Sequence, residues 1–431
     1  MLVFRRPAPA RTASHERAPG AAVANQIWSL CGGVEHDRKD LTRQKLDACP
    51  VRLRSAGLVM TAARRSLHDA SPLSAATNKG HETLTAYEVE GLSAPCNLAD
   101  GHAKLRPIAQ KLSRRHIAAL AAVDPQGQEK HFLEIIGSFA GERFDQRGLV
   151  LFPSASLAID TIAKFLAATG RRQVALLEPT FDNIALLLKR AGLGLTAVRE
   201  STTDIYEACL DHDALFLVSP NNPTGWHPEP PFWDALGEHL TATQTLLIVD
   251  RTFRFFLPVD AGLNELAATN PLVITIDDTG KTWSTLECKV SFAGTLRRSY
   301  LALIREIAEE IVLNVSPLSL ELCIQTMRLE RGATRISTSI LQNQETMASA
   351  LRDCGFQNYR GSLSFLLVQA TATATGSGLV EDLLAEGVAT LPLAKFYWNS
   401  GANPPNTVRM SLARPPETVA KAADILRRKF S

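Results

Sequence analysis

Between about residues 150 and 300, short apolar runs alternate with stretches of helical period, and no other feature restricts the possible fold as strongly. Gln173 to Leu177, Ala214 to Val218, Thr245 to Val249, Val273 to Ile276 and Val290 to Thr295 have the length and apolar composition of buried strands. Between them, Leu157 to Ala168, Asn183 to Ala191 and Pro231 to Leu240 are amphipathic and long enough to serve as crossover helices. The alternation predicts an α/β fold: a doubly wound, mostly parallel sheet flanked by helices. After residue 300 the pattern changes to helical segments over Tyr300 to Asn314 and Leu318 to Ala350, then an alternating strand over Leu363 to Ala370. A smaller α+β C-terminal lobe is expected, with the alanine and threonine run Ala370 to Thr375 as a loop.

A chain of 431 residues can bury a substantial core in one large domain and a smaller one. Its net charge of +2 creates no field to attract nucleic acid or an anionic membrane. No stretch approaches the roughly 20 apolar residues of a bilayer span. A small molecule is therefore the expected partner. The seven cysteines are odd in number, widely spaced and free of a C-x-x-C pair, so neither a metal site nor a disulfide framework is indicated, and a cytoplasmic setting is the default. The first 24 residues carry four arginines and one acid in the style of a transit peptide or disordered leader, although a dispensable or wrongly assigned extension is the stronger reading, with Met60 as an alternative start. The expected organisation is an extension over 1–60, a segment over 61–125 contributing to the small lobe and the site, a large domain over 126–315 and a small domain over 316–431.

Four features carry candidate chemistry. Asn-Asn-Pro-Thr-Gly, beginning at Asn221, follows an apolar strand, at the carboxyl end where open α/β sheets bind ligands; a plain turn explains it equally. Asp250 closes the next strand at the same rim, where it can face a ligand or cap a helix. Lys281 lies just beyond the third strand in a glycine-containing loop, and its amine is either solvated or, if desolvated, a nucleophile. Arg409 stands in a short alternating strand, as a surface residue of an edge or as a bidentate partner for a carboxylate, with Arg414 the weaker candidate.

Taken in order, these features resemble the class I and II aminotransferases, which are fold type I pyridoxal-phosphate enzymes. The separations are 28 positions from Asn222 to Asp250, 31 from Asp250 to Lys281 and 128 from Lys281 to Arg409, and they look like that family's spacings. The resemblance covers about residues 95 to 431 and implies pyridoxal 5'-phosphate as cofactor, a free L-amino acid as substrate and a homodimer. It implies that Lys281 forms a Schiff base with the cofactor and later acts as general base at Cα, that Asp250 holds the pyridine nitrogen protonated, and that Asn222 bonds the phenolic oxygen. Arg409 is implied to bind the substrate α-carboxylate. Ala155 and Ser156 in FPSASLAID look like the phosphate-cradling helix start, and Phe181 in EPTFDN matches the ring that stacks on the cofactor. Asp100, Gly101 and His102 in NLADGHA resemble the segment that enters the site next to the substrate.

Three positions depart from the usual pattern. Phe253 replaces a tyrosine that bonds the phenolic oxygen; the serine-rich loop is Asp278, Thr279 and Gly280, leaving Thr279 as its hydroxyl donor to phosphate; Lys289 takes the place of a phosphate-binding arginine. The dimer-mate tyrosine has no clear counterpart, Tyr87 being a guess. FRFF and DTGKTW look most like a subgroup from specialised metabolism that includes capreomycidine synthase and arginine oxidases. Amino transfer is the default activity, with a lyase, cyclase or oxidase of an arginine-like amino acid as one alternative and an inactive cofactor-binding regulatory module as another. A Rossmann-like binding protein lacks support without a G-x-G-x-x-G loop.

Overall fold

The computed structural model describes residues 83–105, 124–257, 259–285, 288–330, 333–360, 363–370, 378–399 and 406–430. The leader, Met60, residues 61–82 and most of the Ala370 to Thr375 run lie outside them. Residues Ala76–Ser431 form one compact unit. Its strands are β1 (Cys96–Asn97), β2 (Leu149–Phe152), β3 (Gln173–Leu177), β4 (Gly194–Val198), β5 (Ala214–Val218), β6 (Leu246–Asp250), β7 (Val273–Asp278), β8 (Ser291–Gly294), β9 (Gln357–Arg360), β10 (Phe365–Gln369), β11 (Val388–Ala389), β12 (Leu391–Pro392) and β13 (Thr407–Ser411).

Seven of these build the central sheet in the order β2-β8-β7-β6-β5-β3-β4. All neighbours are parallel except β8, which runs antiparallel to both β2 and β7. β5, β6 and β7 are buried along their whole length, which is why their sequences read as continuous apolar runs rather than alternations. β2 and β4 escaped the sequence reading for a physical reason. Both lie at the sheet's edges; β4 begins with glycine and buries only Val198, and β2 is four residues long.

The crossover helices are amphipathic for the same reason that the strands are apolar. In Ala155–Ala168, Ser154 caps the N-terminus by accepting from the Leu157 N–H at 3.3 Å, while Ile159, Ile162, Phe165 and Leu166 join the core with the sheet. Asp182–Arg190 and Pro230–Thr243 also cover the sheet. The expected helical segment from 318 to 350 is described as helix over Pro317–Glu330 and over Ala333–Asp353.

A second sheet, β12-β13-β10-β9, is antiparallel and packs with Ala333–Asp353 and Pro416–Phe430 around its own apolar core. β13 is therefore an inner strand, not an edge, and Arg409 on it is fully buried. No described helix is long and apolar enough to cross a membrane.

Candidate active site

Because β5, β6 and β7 are parallel and adjacent, their carboxyl ends share one rim. Val218 pairs with Asp250 and Asp250 with Ile276, so the residues that follow each strand open onto the same space. There a cavity of about 340 Å³ is lined by Ala155, Ser156, Phe181, Asn222, Asp250, Phe253, Lys281, Lys289, Arg409, Gly101 and His102, among others. Of the residues singled out in the sequence, Thr279, Asp100, Arg414 and Tyr87 are not among those that line it.

Thr279 needs correction. Its hydroxyl accepts the Val290 N–H at 2.9 Å and lies 3.6 Å from the Cys323 thiol, and it is not among the residues that line the cavity. Asp278 takes the cavity-facing position instead, tied by its carboxylate to the Gly280 N–H and the Ser291 hydroxyl. Thr279→Val should therefore lower unfolding stability by about 1 kcal/mol while changing cofactor affinity less than about twofold, measured by denaturant titration and by cofactor titration. A tenfold loss of affinity would return the hydroxyl to the cofactor.

Asp250 is 6% exposed and ends β6. One carboxylate oxygen accepts the Thr252 N–H at 2.9 Å and also the Thr252 hydroxyl. Burial pushes its pKa up to about 6, against these hydrogen bonds and with a further push from the charges of Asp278 and Asp277. Such a carboxylate is relieved either by a proton or by a cationic partner.

Lys281 approaches from the loop after β7, and its Nζ lies 3.3 Å from His102 Nε2. On the far side of the ring, His102 Nδ1 is 2.6 Å from Asp100 Oδ1, and Lys104 Nζ is 2.6 Å from Asp100 Oδ2. Burial works to raise the Asp100 pKa, but the hydrogen bond to His102 and the charges of His102, Lys281 and Arg414 hold it well below the ordinary carboxylate range. At Gly101 a Cβ would meet an Arg409 terminal nitrogen at 3.3 Å, a tight contact that the guanidinium would have to relieve by shifting, and would touch Lys281 Nζ at 3.8 Å.

Arg409 donates to Asn222 Oδ1 at 3.4 Å and to the Ala99 carbonyl, and its guanidinium lies 4.4 Å from the Phe365 ring centroid. Burial lowers its pKa to about 10, opposed by the charges of Glu88 and Asp100. Arg414 is excluded as its understudy, since its guanidinium is bonded to the carbonyls of Asn97, Asp100, His102 and Ala413. Phe253 packs edge-on against Phe365 at 5.0 Å, and Phe181 against Phe396 at 6.1 Å.

Several lining residues were not foreseen. Thr252 could have been read as an Asx-type partner two residues after Asp250. Thr85 and Glu88 lie three apart on the helix Leu84–Glu90, hence on one face, and both line the cavity. Nothing in their own sequence marks them, because only the tertiary fold brings that helix here. Tyr87, on the same helix, is not among the lining residues.

The donor set fits pyridoxal phosphate. The backbone N–H groups of Ala155 and Ser156 open a 14-residue helix and have no acceptor within it, and Lys289 adds positive charge to the same cavity, which suits a phosphate. Asp250 suits a protonated ring nitrogen, and Lys281 supplies a primary amine. This fold and site define a fold type I pyridoxal-phosphate enzyme.

The sequence profile of "Aminotransferase class I and II" matches residues 97–426, and the chain belongs to that family. Among solved structures, MppP soaked with the product 2-ketoarginine superposes with a TM-score of 0.66 at 27% identity, covering 76% of this chain and 98% of that one. A methionine aminotransferase from Escherichia coli gives 0.66 at 18% identity, covering 81% and 97%, which bears on fold alone. Among curated proteins, the threonine-phosphate decarboxylase of Salmonella typhimurium is 32% identical over 122 residues, 26% of this chain and about a third (34%) of that enzyme. The threonine-phosphate decarboxylase of a Sinorhizobium species is 25% identical over 61% of this chain and 72% of its own length.

Proposed function

We propose that the chain converts a free L-amino acid with a cationic, arginine-like side chain into its 2-oxo acid, by removal of the Cα proton. The observation that carries this reading is the presence of Glu88 and Arg409 in one cavity. The guanidinium of Arg409 suits an α-carboxylate, and the carboxylate of Glu88 suits a cation at the other end of the substrate. The likeness to MppP, which was soaked with 2-ketoarginine as its product, supports the same substrate class.

In this reading, Ala155, Ser156 and Lys289 hold the cofactor's phosphate, Asp250 its ring nitrogen, Asn222 its phenolic oxygen and Phe181 a face of its ring. The bound cofactor supplies an aldehyde that captures amines and a ring that accepts the electron pair left at Cα. Lys281 takes the Cα proton on Nζ, and His102, paired with Asp100, borders that nitrogen and orients it. Phe253 and Phe365 keep water from the face of the site on which they pack.

Family membership makes amino transfer to a 2-oxo acid the default outcome. The likeness to MppP and to arginine oxidases favours a second: dioxygen and water consumed, with 2-oxo acid, ammonia and hydrogen peroxide released. Incubating the enzyme with L-arginine, with and without a 2-oxo acid acceptor, separates the two. Product formation that requires the acceptor supports transfer, oxygen uptake without it supports oxidation, and inertness toward all cationic amino acids overturns the substrate assignment. Glu88→Gln should raise KM for L-arginine about 10- to 100-fold and leave a neutral amino acid within about twofold, the difference corresponding to one charge-assisted hydrogen bond. We take the working form to be a cytoplasmic homodimer, as is usual in the family.

A further inference from the structure

Arg414 makes an unusual use of a buried guanidinium. It is 2% exposed, and its hydrogen bonds run to backbone carbonyls: Nε to Asn97 at 2.7 Å, one terminal nitrogen to His102 at 2.6 Å and to Ala413 at 3.0 Å, and the other to Asp100. Three of these acceptors belong to one six-residue segment, Asn97 to His102. The same segment is fastened by its own backbone: Ser411 N–H donates to Leu98 at 2.7 Å, Ala103 N–H to Gly280 at 3.2 Å and Lys104 N–H to Ala413 at 2.9 Å. It is therefore held between the end of β13 and the loop that carries Lys281.

We infer that Arg414 is a positioning residue that sets the Asp100–His102 pair against the Lys281 amine and thereby governs how readily that amine reacts. The inference rests on the reading of Lys281 as the reactive amine. The physical link is short. His102 Nε2 is 3.3 Å from Lys281 Nζ, and His102 Nδ1 is 2.6 Å from the Asp100 carboxylate. The hydrogen bond to His102 Nε2 ties up the Lys281 amine, which must give up that bond before it can swing toward an electrophile. Two bonds from Arg414 end on the carbonyls of Asp100 and His102 themselves, so the guanidinium fixes the backbone of both members of the pair. A lysine in its place reaches fewer of these carbonyls, because an ammonium lacks the planar fork. Released from the clamp, the pair withdraws and Lys281 loses both its acceptor and the nearby negative charge.

The test uses the full-length chain after removal of its cofactor, labelled at pH 8 with trinitrobenzenesulfonate and analysed by peptide mass spectrometry. The readout is the ratio of Lys281 to Lys289 labelling. Both lysines line one cavity, so general loosening of the protein cancels. Arg414→Lys should raise the ratio about threefold and His102→Phe by a similar factor, and the double variant should go no higher than His102→Phe alone, since Arg414 acts through His102. Asp100→Asn, which leaves the carbonyl acceptors of Arg414 in place, should raise the ratio by about the same factor and serves if the Arg414 variant does not fold. An unchanged ratio, or effects of Arg414→Lys and His102→Phe that multiply, would overturn the inference. A ratio that responds as expected in a protein that binds no pyridoxal phosphate would instead sink the functional reading and leave the clamp standing.

Discussion

Lys281→Ala is expected to lower turnover at least about 10⁴-fold, because it removes both the attachment point of the cofactor and the base that takes the Cα proton. The loss should fall on kcat, since Glu88 and Arg409 would still bind substrate. The visible band of lysine-bound cofactor should vanish as well, while pyridoxal phosphate still associates through the contacts around Ala155, Ser156 and Lys289. A spectrum of the purified variant next to the parent decides the matter. Survival of the parent's band would transfer the role to another amine, and Lys289, in the same cavity, would be the one to examine.

Asp250→Asn should have two opposite effects. In the cofactor-loaded enzyme it removes the anion that keeps the ring nitrogen protonated, and a fall in kcat of about 10³-fold is expected. In the cofactor-free chain it should stabilise the fold. Burial raises the Asp250 pKa from 3.8 to about 6, so this group's contribution to stability is fully present below the unfolded value and is lost as pH rises through about 6. At pH 8 the parent carries a desolvated carboxylate that the asparagine does not, a difference on the order of 3 kcal/mol. Denaturant titrations of both cofactor-free proteins at pH 4 and pH 8 test this. A gain confined to pH 8 is the expected result, and equal stability at both pH values would mean that the carboxylate finds a partner in the absence of cofactor. Function and stability therefore oppose each other at this position.

The parts of the site legible in the sequence were those that the topology guarantees. Asn222, Asp250 and Lys281 each follow a strand whose apolar run marks it as buried, so once three such strands are parallel and adjacent their ends must meet. Arg409 was readable only through its family spacing, since an alternating strand near a C-terminus does not announce whether it is inner or edge. Thr279 misled because a hydroxyl beside a reactive lysine invites a phosphate contact; the pleat of the chain past β7 turned Asp278 inward and Thr279 toward Val290 and Cys323. Glu88 and Thr85 were illegible, since their helix reaches the cavity through contacts between residues distant in the chain. Leu84 N–H, for example, donates to Asp182 at 2.9 Å.

One feature of β6 and β7 bears on how such a chain can vary over time. Neighbouring residues at the ends of these strands part ways: Asp250 and Asp278 border the cavity, whereas Arg251, the residue after β6, meets Asp277 at 2.7 Å outside the cavity lining, with Glu142 and Arg254 completing the ionic cluster. Removing or adding a single residue in either strand would exchange the two faces. An arginine or a clustered aspartate would then point at the cofactor's place, and its former partners would be stranded in the interior. Lineages of this chain can lengthen or shorten surface turns freely, but these two strands admit change by substitution alone.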